Sequence, residues 1–240
     1  MAYIKKTYRL KNVIEVEEYH TGRYGAPGQI RLPKKKKTPE QVAKINQRNK
    51  EKVCRRKLRQ HFDVGDYFVD LTYRKEERPE DMAEAKKHFK LFIQHVKREY
   101  KKRGHELKWI RNIEVGQRNA WHVHMVINRV PDTDLILRKA WQKGKVIMQN
   151  LTADGKFRKI AEYITKSPVN DKSLVESNHS ASRNLPVPEP EKKIYRRWRT
   201  WKNEPMIPKG YYLDKDSMYE GENPITGYPY RVYSLFKLRE

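Results

Sequence analysis

His122 and His124 stand two residues apart in the run WHVHMVIN. In an extended strand alternate side chains share a face, so both imidazoles are presented together as neutral nitrogen donors for a cation. Such a pair also suits two satisfied surface histidines, and a third group separates the readings. Glu114 lies eight residues before His122, across a predicted hairpin, with the parity to meet both rings. Two imidazoles and one carboxylate with open positions suit Mg²⁺ or Mn²⁺ engaged with a phosphate; the same donors would also take Zn²⁺. Tyr163, in RKIAEYITKSP, falls off the apolar stripe of Phe157, Ile160, Ala161 and Ile164 on a predicted helix. Lys159 and Lys166 share its face. Two ammonium groups beside a phenol favour the phenolate, which places Tyr163 to attack phosphorus. Read alone, it would be one more surface tyrosine.

These groups need a sheet and a helix to hold them. From Asp66 onward, Tyr67, Val69, Leu71 and Tyr73 alternate with Phe68, Asp70 and Thr72, the period of a strand. After Pro79, the spacing of Met82, Ala85, Phe89, Phe92, Ile93, Val96 and Tyr100 predicts a long amphipathic helix stopped at Gly104. Residues 107–115 and 121–130 read as strands of a hairpin joined through Gly116, Gln117, Arg118 and Asn119. A short helix to about Trp141, a strand over 145–148 and a helix over about 156–166 follow. Residues 66–150 thus read β-α-β-β-α-β, an α+β, ferredoxin-like or RRM-like antiparallel sheet with both helices on one face and the other face open. If Ile113, Val115, Val123, Met125 and Ile127 face the helices, then Asn112, Glu114, His122, His124 and Asn128 face the open side, joined by Asp70 and Thr72.

The expected division is a basic extension over 1–61, a core over 62–170 and a basic, aromatic-rich region over 171–240. In the first, Val13, Ile14 and Val16 suggest one or two short strands within 1–32, followed by a turn at Gly22, Gly25 and Gly28 and a basic run at Lys34 to Lys37. Thr38, Pro39, Glu40 and Gln41 then open a helix that ends by Phe62. It is polar enough either to lie across DNA or to be a solvated surface helix. The stretch NHSASRNLPVPEPEKK suggests a linker over 171–193. Beyond it, Tyr195, Trp198, Trp201, Tyr211, Tyr212, Tyr228, Tyr230 and Tyr233 alternate with basic residues. They form either a stacking platform for bases or the core of a small subdomain.

Composition narrows the function. Lys and Arg number 54 against 30 Asp and Glu, a net charge of +24 spread over 240 residues, and such an excess points to a polyanionic partner, nucleic acid. Full disorder is excluded by 37% hydrophobic residues with 15 Tyr and 5 Trp. The single Cys54 excludes an internal disulfide and a cysteine-based zinc finger, and fits a reducing compartment. No apolar run approaches the roughly 20 residues that cross a bilayer, and MAYIKKTYRL has no hydrophobic signal core. A cytoplasmic protein without a membrane partner is expected.

Taken in order, YFVDLTY, WHVHMVIN and EYITK resemble motifs one, two and three of the HUH endonucleases, and within them the single-tyrosine rolling-circle replication initiators of bacterial plasmids and phages. The resemblance covers roughly residues 65–167. It implies the HUH fold, His122, His124 and Glu114 as metal ligands, and Tyr163 as nucleophile. Lys166, the lysine of a Y-x-x-K, would support the scissile phosphate or the charge of the active site. The tyrosine follows the histidines, unlike the permuted order of conjugative relaxases. Ser167 stands where two-tyrosine phage initiators carry their second tyrosine, and the chain has no GxxxxGK[ST] loop of a fused helicase. The implied reaction is Mg²⁺- or Mn²⁺-dependent nicking of single-stranded origin DNA in a bacterial cytoplasm. It leaves a 5′-phosphotyrosyl linkage and a 3′-OH primer, with a host helicase and polymerase as partners. Two other readings stand beside it. A single-tyrosine HUH transposase shares the motif order, and a non-catalytic single-stranded nucleic-acid-binding protein would use the sheet and aromatics for stacking.

Overall fold

A computed structural model of the chain describes residues 3–20, 37–151, 156–198, 200–223 and 227–238. In chain order, β1 (Tyr3–Arg9) and β2 (Val13–His20) precede α1 (Pro39–His61). Next come β3 (Tyr67–Thr72), α2 (Met82–Lys102), β4 (Trp109–Gly116), β5 (Trp121–Ile127), α3 (Thr133–Ala140), β6 (Val146–Asn150) and α4 (Arg158–Ile164). The strands β7 (Leu174–Ala181), β8 (Glu191–Tyr195), β9 (Tyr211–Glu222) and β10 (Pro229–Lys237) complete the described elements. They build an α+β protein with two antiparallel five-stranded sheets. Two compact units result, one of Pro39–Pro186 and one of Met1–Thr38 with Val187–Glu240.

In the first unit the strand order is β6-β3-β5-β4-β7, the ferredoxin-like arrangement with one strand added at the edge. Helix α2 begins where Asp81 accepts from the Glu84 backbone N–H and ends before Gly104, whose φ of +75° only glycine adopts without cost. The β4–β5 turn closes with Asn119 at φ +53° and a Gly116 N–H to Ala120 C=O bond of 3.1 Å. Leu71, Ile113, Val123, Met125 and Ile127 project to one side and pack against Phe89, Phe92 and Val96 of α2 and Leu137 of α3. Each such side chain contributes about 1.5–3 kcal/mol on full burial.

The opposite face is not open along its whole length. Ile110, Val126 and Phe68 share that face and pack with Cys54, Leu58 and Phe62 from α1 and its end and with Phe157, Ala161 and Ile164 from α4 and its start. The reason lies in the strands themselves. The polar set His122, His124, Asn112 and Glu114 occupies one end of the face, and beyond it the same parity carries apolar residues that require cover. Helix α1 is accordingly neither wholly solvated nor free to lie on DNA by all its faces, since Gln47, Cys54, Arg56, Leu58 and Arg59 are buried.

The linker expected over 171–193 is partly structured. Strand β7 pairs with β4, with Asn112 opposite His179 and Glu114 opposite Ser177. Only Leu174 of β7 is fully buried, so an edge strand with mostly polar side chains leaves no alternation to read. Strand β8 pairs with β1 in the second sheet, ordered β8-β1-β2-β10-β9. The two ends of the chain therefore build one unit, and α1 belongs to the other. Pairing across such sequence separation has no local signature. In the terminal unit Tyr3, Trp201 and Tyr233 are buried, Tyr3 stacks on Tyr195 with centroids 4.6 Å apart, and Trp198, Tyr212 and Tyr219 are exposed. The aromatics thus serve in part as core. The turn at Gly22, Gly25 and Gly28 and the run at Lys34 to Lys36 lie outside the described residues.

Candidate active site

Antiparallel register lines up the polar side chains in two rungs. Asp70 of β3 lies opposite His124 of β5, which lies opposite Asn112 of β4; Thr72, His122 and Glu114 form the neighbouring rung. Directly opposed residues share a face at close range. Asp70 Oδ1 stands 3.4 Å from His122 Nδ1 and 3.5 Å from His124 Nδ1. The rings of His122 and His124 are nearly parallel, with centroids 5.7 Å apart. Asp70, His122 and His124 can each bring one ligand atom within 4.8 Å of the others, a group that could hold a metal ion.

Glu114, expected as the third ligand, is placed on the other nitrogen of His124, with Oε1 2.8 Å from Nε2. The same oxygen lies 2.8 Å from Lys166 Nζ. The structure thus groups Asp70 with the histidines and ties Glu114 to His124 and Lys166. Asp70 is legible in the sequence only as a polar residue on the right face; its register opposite His124 is the signal that identifies it.

The donors fit a divalent ion. Ionised Glu114 can only accept, so the His124 nitrogen facing it carries the proton and Nδ1 keeps its lone pair. That buried Nδ1 lacks a hydrogen-bond partner, as does Glu114 Oε2. A bare lone pair directed toward a carboxylate is unfavourable unless a positive charge lies between them. A carboxylate on the far nitrogen of a metal-binding imidazole is also the arrangement that fixes its tautomer and orientation.

Charge is balanced locally. Burial pushes Asp70 up, but the hydrogen bond from His122 and the charges of His124 and Lys166 outweigh it and hold the carboxyl below its usual range. Glu114 is likewise held down by His124 and Lys166 against its burial. The Asp70 hydrogen bond raises His122. Burial lowers Lys166, yet the bond to Glu114 reverses this and keeps the ammonium charged.

Tyr163 stands beside this cluster. Its hydroxyl oxygen is 3.3 Å from His124 Nε2, and its ring meets that of His124 edge-on at 4.8 Å. Lys166 Nζ lies 4.2 Å from the phenol centroid, past the end of α4 instead of on it. Lys159 is exposed. The expectation of an acidified phenol is overturned: burial, joined by Glu114 and Asp70, raises Tyr163 above its ordinary value despite Lys166. The sequence pattern counts only the cations on the same helix, whereas the carboxylates face the phenol from the sheet. Tyr163 nevertheless remains 43% exposed, accessible to a large substrate.

No described helix is long and apolar enough to cross a membrane. No curated protein and no solved structure gives a match. Residues 66–168 do match a family model, that of the replication-associated protein ORF2. The matched stretch runs from β3 through Lys166, and so contains Asp70, Glu114, the histidine pair and Tyr163. The sheet and site of this chain are therefore built from a segment with the sequence of a replication-associated protein of the ORF2 family.

Proposed function

We propose that this protein is a replication initiator that nicks single-stranded origin DNA, with Tyr163 as the nucleophile and Asp70, His122 and His124 as holders of a divalent ion. The observation that carries the reading is the convergence of an accessible phenol oxygen, 3.3 Å from His124, on a carboxylate and imidazole group able to bind a metal. When bound there, Mg²⁺ or Mn²⁺ would supply Lewis-acid polarisation of a phosphoryl oxygen.

The chain's own residues account for the rest. Tyr163 Oη attacks phosphorus, and its proton passes to water at the exposed edge of the ring. The bond from phosphorus to the 3′ oxygen breaks, and that oxygen leaves as a 3′-OH able to prime a polymerase. A 5′-phosphotyrosyl linkage retains the bond energy for later rejoining. His124 offers an N–H toward the phenol oxygen, since its Nε2 proton faces Glu114; it orients Tyr163 and is not the base. Lys166, fixed by Glu114 at 2.8 Å, places one positive charge beside the ring and the incoming phosphate. Glu114 acts through both neighbours. The basic surface, from a net +24, would hold the strand's backbone.

The test incubates the full chain and Mn²⁺ with a pool of randomised single strands and isolates detergent-stable protein–DNA adducts. Adducts that form with Mn²⁺, vanish with chelator and are absent from Tyr163→Phe support the proposal. A pool that is bound but never covalently captured would favour a binding protein without catalysis.

A further inference from the structure

The aim of Tyr163 depends on α4, a helix of seven residues, and a helix that short is marginal by itself. Its last carbonyls have no partners within the helix. Three successive ones are met by side chains from three other elements. His179 Nδ1 of β7 lies 3.0 Å from the Ile164 carbonyl. Gln47 Nε2 of α1 donates to the Thr165 carbonyl at 2.9 Å, and Asn112 Nδ2 of β4 donates to the Lys166 carbonyl at 3.1 Å. Ser167 Oγ returns a bond to Gln47 Oε1 at 3.2 Å. These carbonyls lie within three residues of Tyr163, and they bracket the turn from the phenol to Lys166.

We propose that Gln47, Asn112 and His179 are positioning residues: they clamp the end of α4 to β4, β7 and α1 and so set the phenol of Tyr163 against His124. The proposal rests on the reading of Tyr163 as nucleophile and goes beyond it, because Gln47 and His179 lie outside the matched segment 66–168. None of the three touches the reacting atoms. Apolar packing of Phe157, Ala161 and Ile164 holds α4 on the sheet but does not fix its rotation, whereas three directional bonds at one end do. Burial, with Lys50, Arg111 and Lys57 nearby, pushes His179 down to about 4. The ring is therefore neutral at physiological pH, and with the Ile164 carbonyl able only to accept, Nδ1 carries the single proton.

The test measures single-turnover adduct formation with a strand captured by the wild-type protein. His179→Leu removes the donor. His179→Asn restores an N–H at the position of Nδ1. The expected result for His179→Leu is a rate lower by about 100-fold, the loss that follows a misplacement of about 1 Å, with Mn²⁺ and strand affinities unchanged. His179→Asn should regain most of the rate. Gln47→Met, which keeps side-chain length but no donor, should slow the reaction in the same way, and it decides alone if the leucine variant does not fold. Wild-type rates in both donor-less variants, or an asparagine variant as slow as the leucine one, would overturn the clamp. A Tyr163→Phe protein run in parallel separates the two failures: adduct formation by that protein refutes the nucleophile assignment itself.

Discussion

His179 offers a quantitative test of how the site unit is held together. Its folded value of about 4 lies below the ordinary 6.5 because burial and the charges of Lys50, Arg111 and Lys57 oppose protonation. Between those two values the unfolded chain binds a proton that the folded chain does not, so stability falls as pH falls. The loss starts near 6.5 and is complete below about 4. At about 1.4 kcal/mol per pH unit, a gap of about 2.5 units corresponds to roughly 3 kcal/mol. Raised His122 works in the opposite direction, stabilising at low pH and losing that contribution as pH rises, so the total curve mixes signs. Comparison of wild type with His179→Asn isolates one group, since asparagine keeps the donor and does not titrate. The assay is hydrogen exchange of the β4 and β7 amides in chelator, converted to opening free energy at each pH. The difference between the two proteins should be flat above about pH 7 and shrink by roughly 3 kcal/mol on descent to pH 4. Parallel curves would refute the assignment of a buried, neutral imidazole at the end of α4.

Other expectations follow from the same geometry. Asp70→Asn should weaken Mn²⁺ binding by more than Glu114→Gln, whose amide carbonyl can still accept from His124; isothermal calorimetry decides, and the reverse order would make Glu114 the direct ligand. Loss of an orienting carboxylate alone costs about 10- to 100-fold in affinity, and Glu114→Leu should fall in that range. Because the Tyr163 phenol is raised and the phenolate is the stronger nucleophile, adduct formation should accelerate about tenfold per pH unit through the neutral range, and a rate flat from about pH 6 to 9 would contradict this. Strand affinity should fall with salt at a log–log slope of about −0.7 per contacted phosphate; insensitivity to salt in a filter-binding titration would assign the positive charge another purpose.

The sheet is legible in the sequence because its chemistry and its packing follow the same period of two. His122, His124 and Glu114 separate from Val123, Met125 and Ile113 by parity alone, and register then brings Asp70 opposite His124. What parity does not carry is the change in character along one face, from Asn112 and His124 to Ile110 and Val126, that calls α1 and α4 onto a surface expected to be bare. Strand β7 is hidden for a related reason: at a sheet edge, Ser177, Asn178 and His179 satisfy backbone bonds and side-chain donors without any apolar alternation. The phenol's titration cannot be read from its own helix because its environment is set by Glu114 and Asp70, distant in sequence and near in space. Tyr163 itself is legible as the residue that α4 does not need for packing.

The most direct measurement digests the covalent adduct formed with Mn²⁺ and locates the nucleotide by tandem mass spectrometry. The account predicts a phosphodiester-linked nucleotide on the peptide containing Tyr163, joined through the 5′ phosphate, with a free 3′-OH on the released strand. A nucleotide on any other residue, or a 3′-phosphate on the released strand, would contradict it.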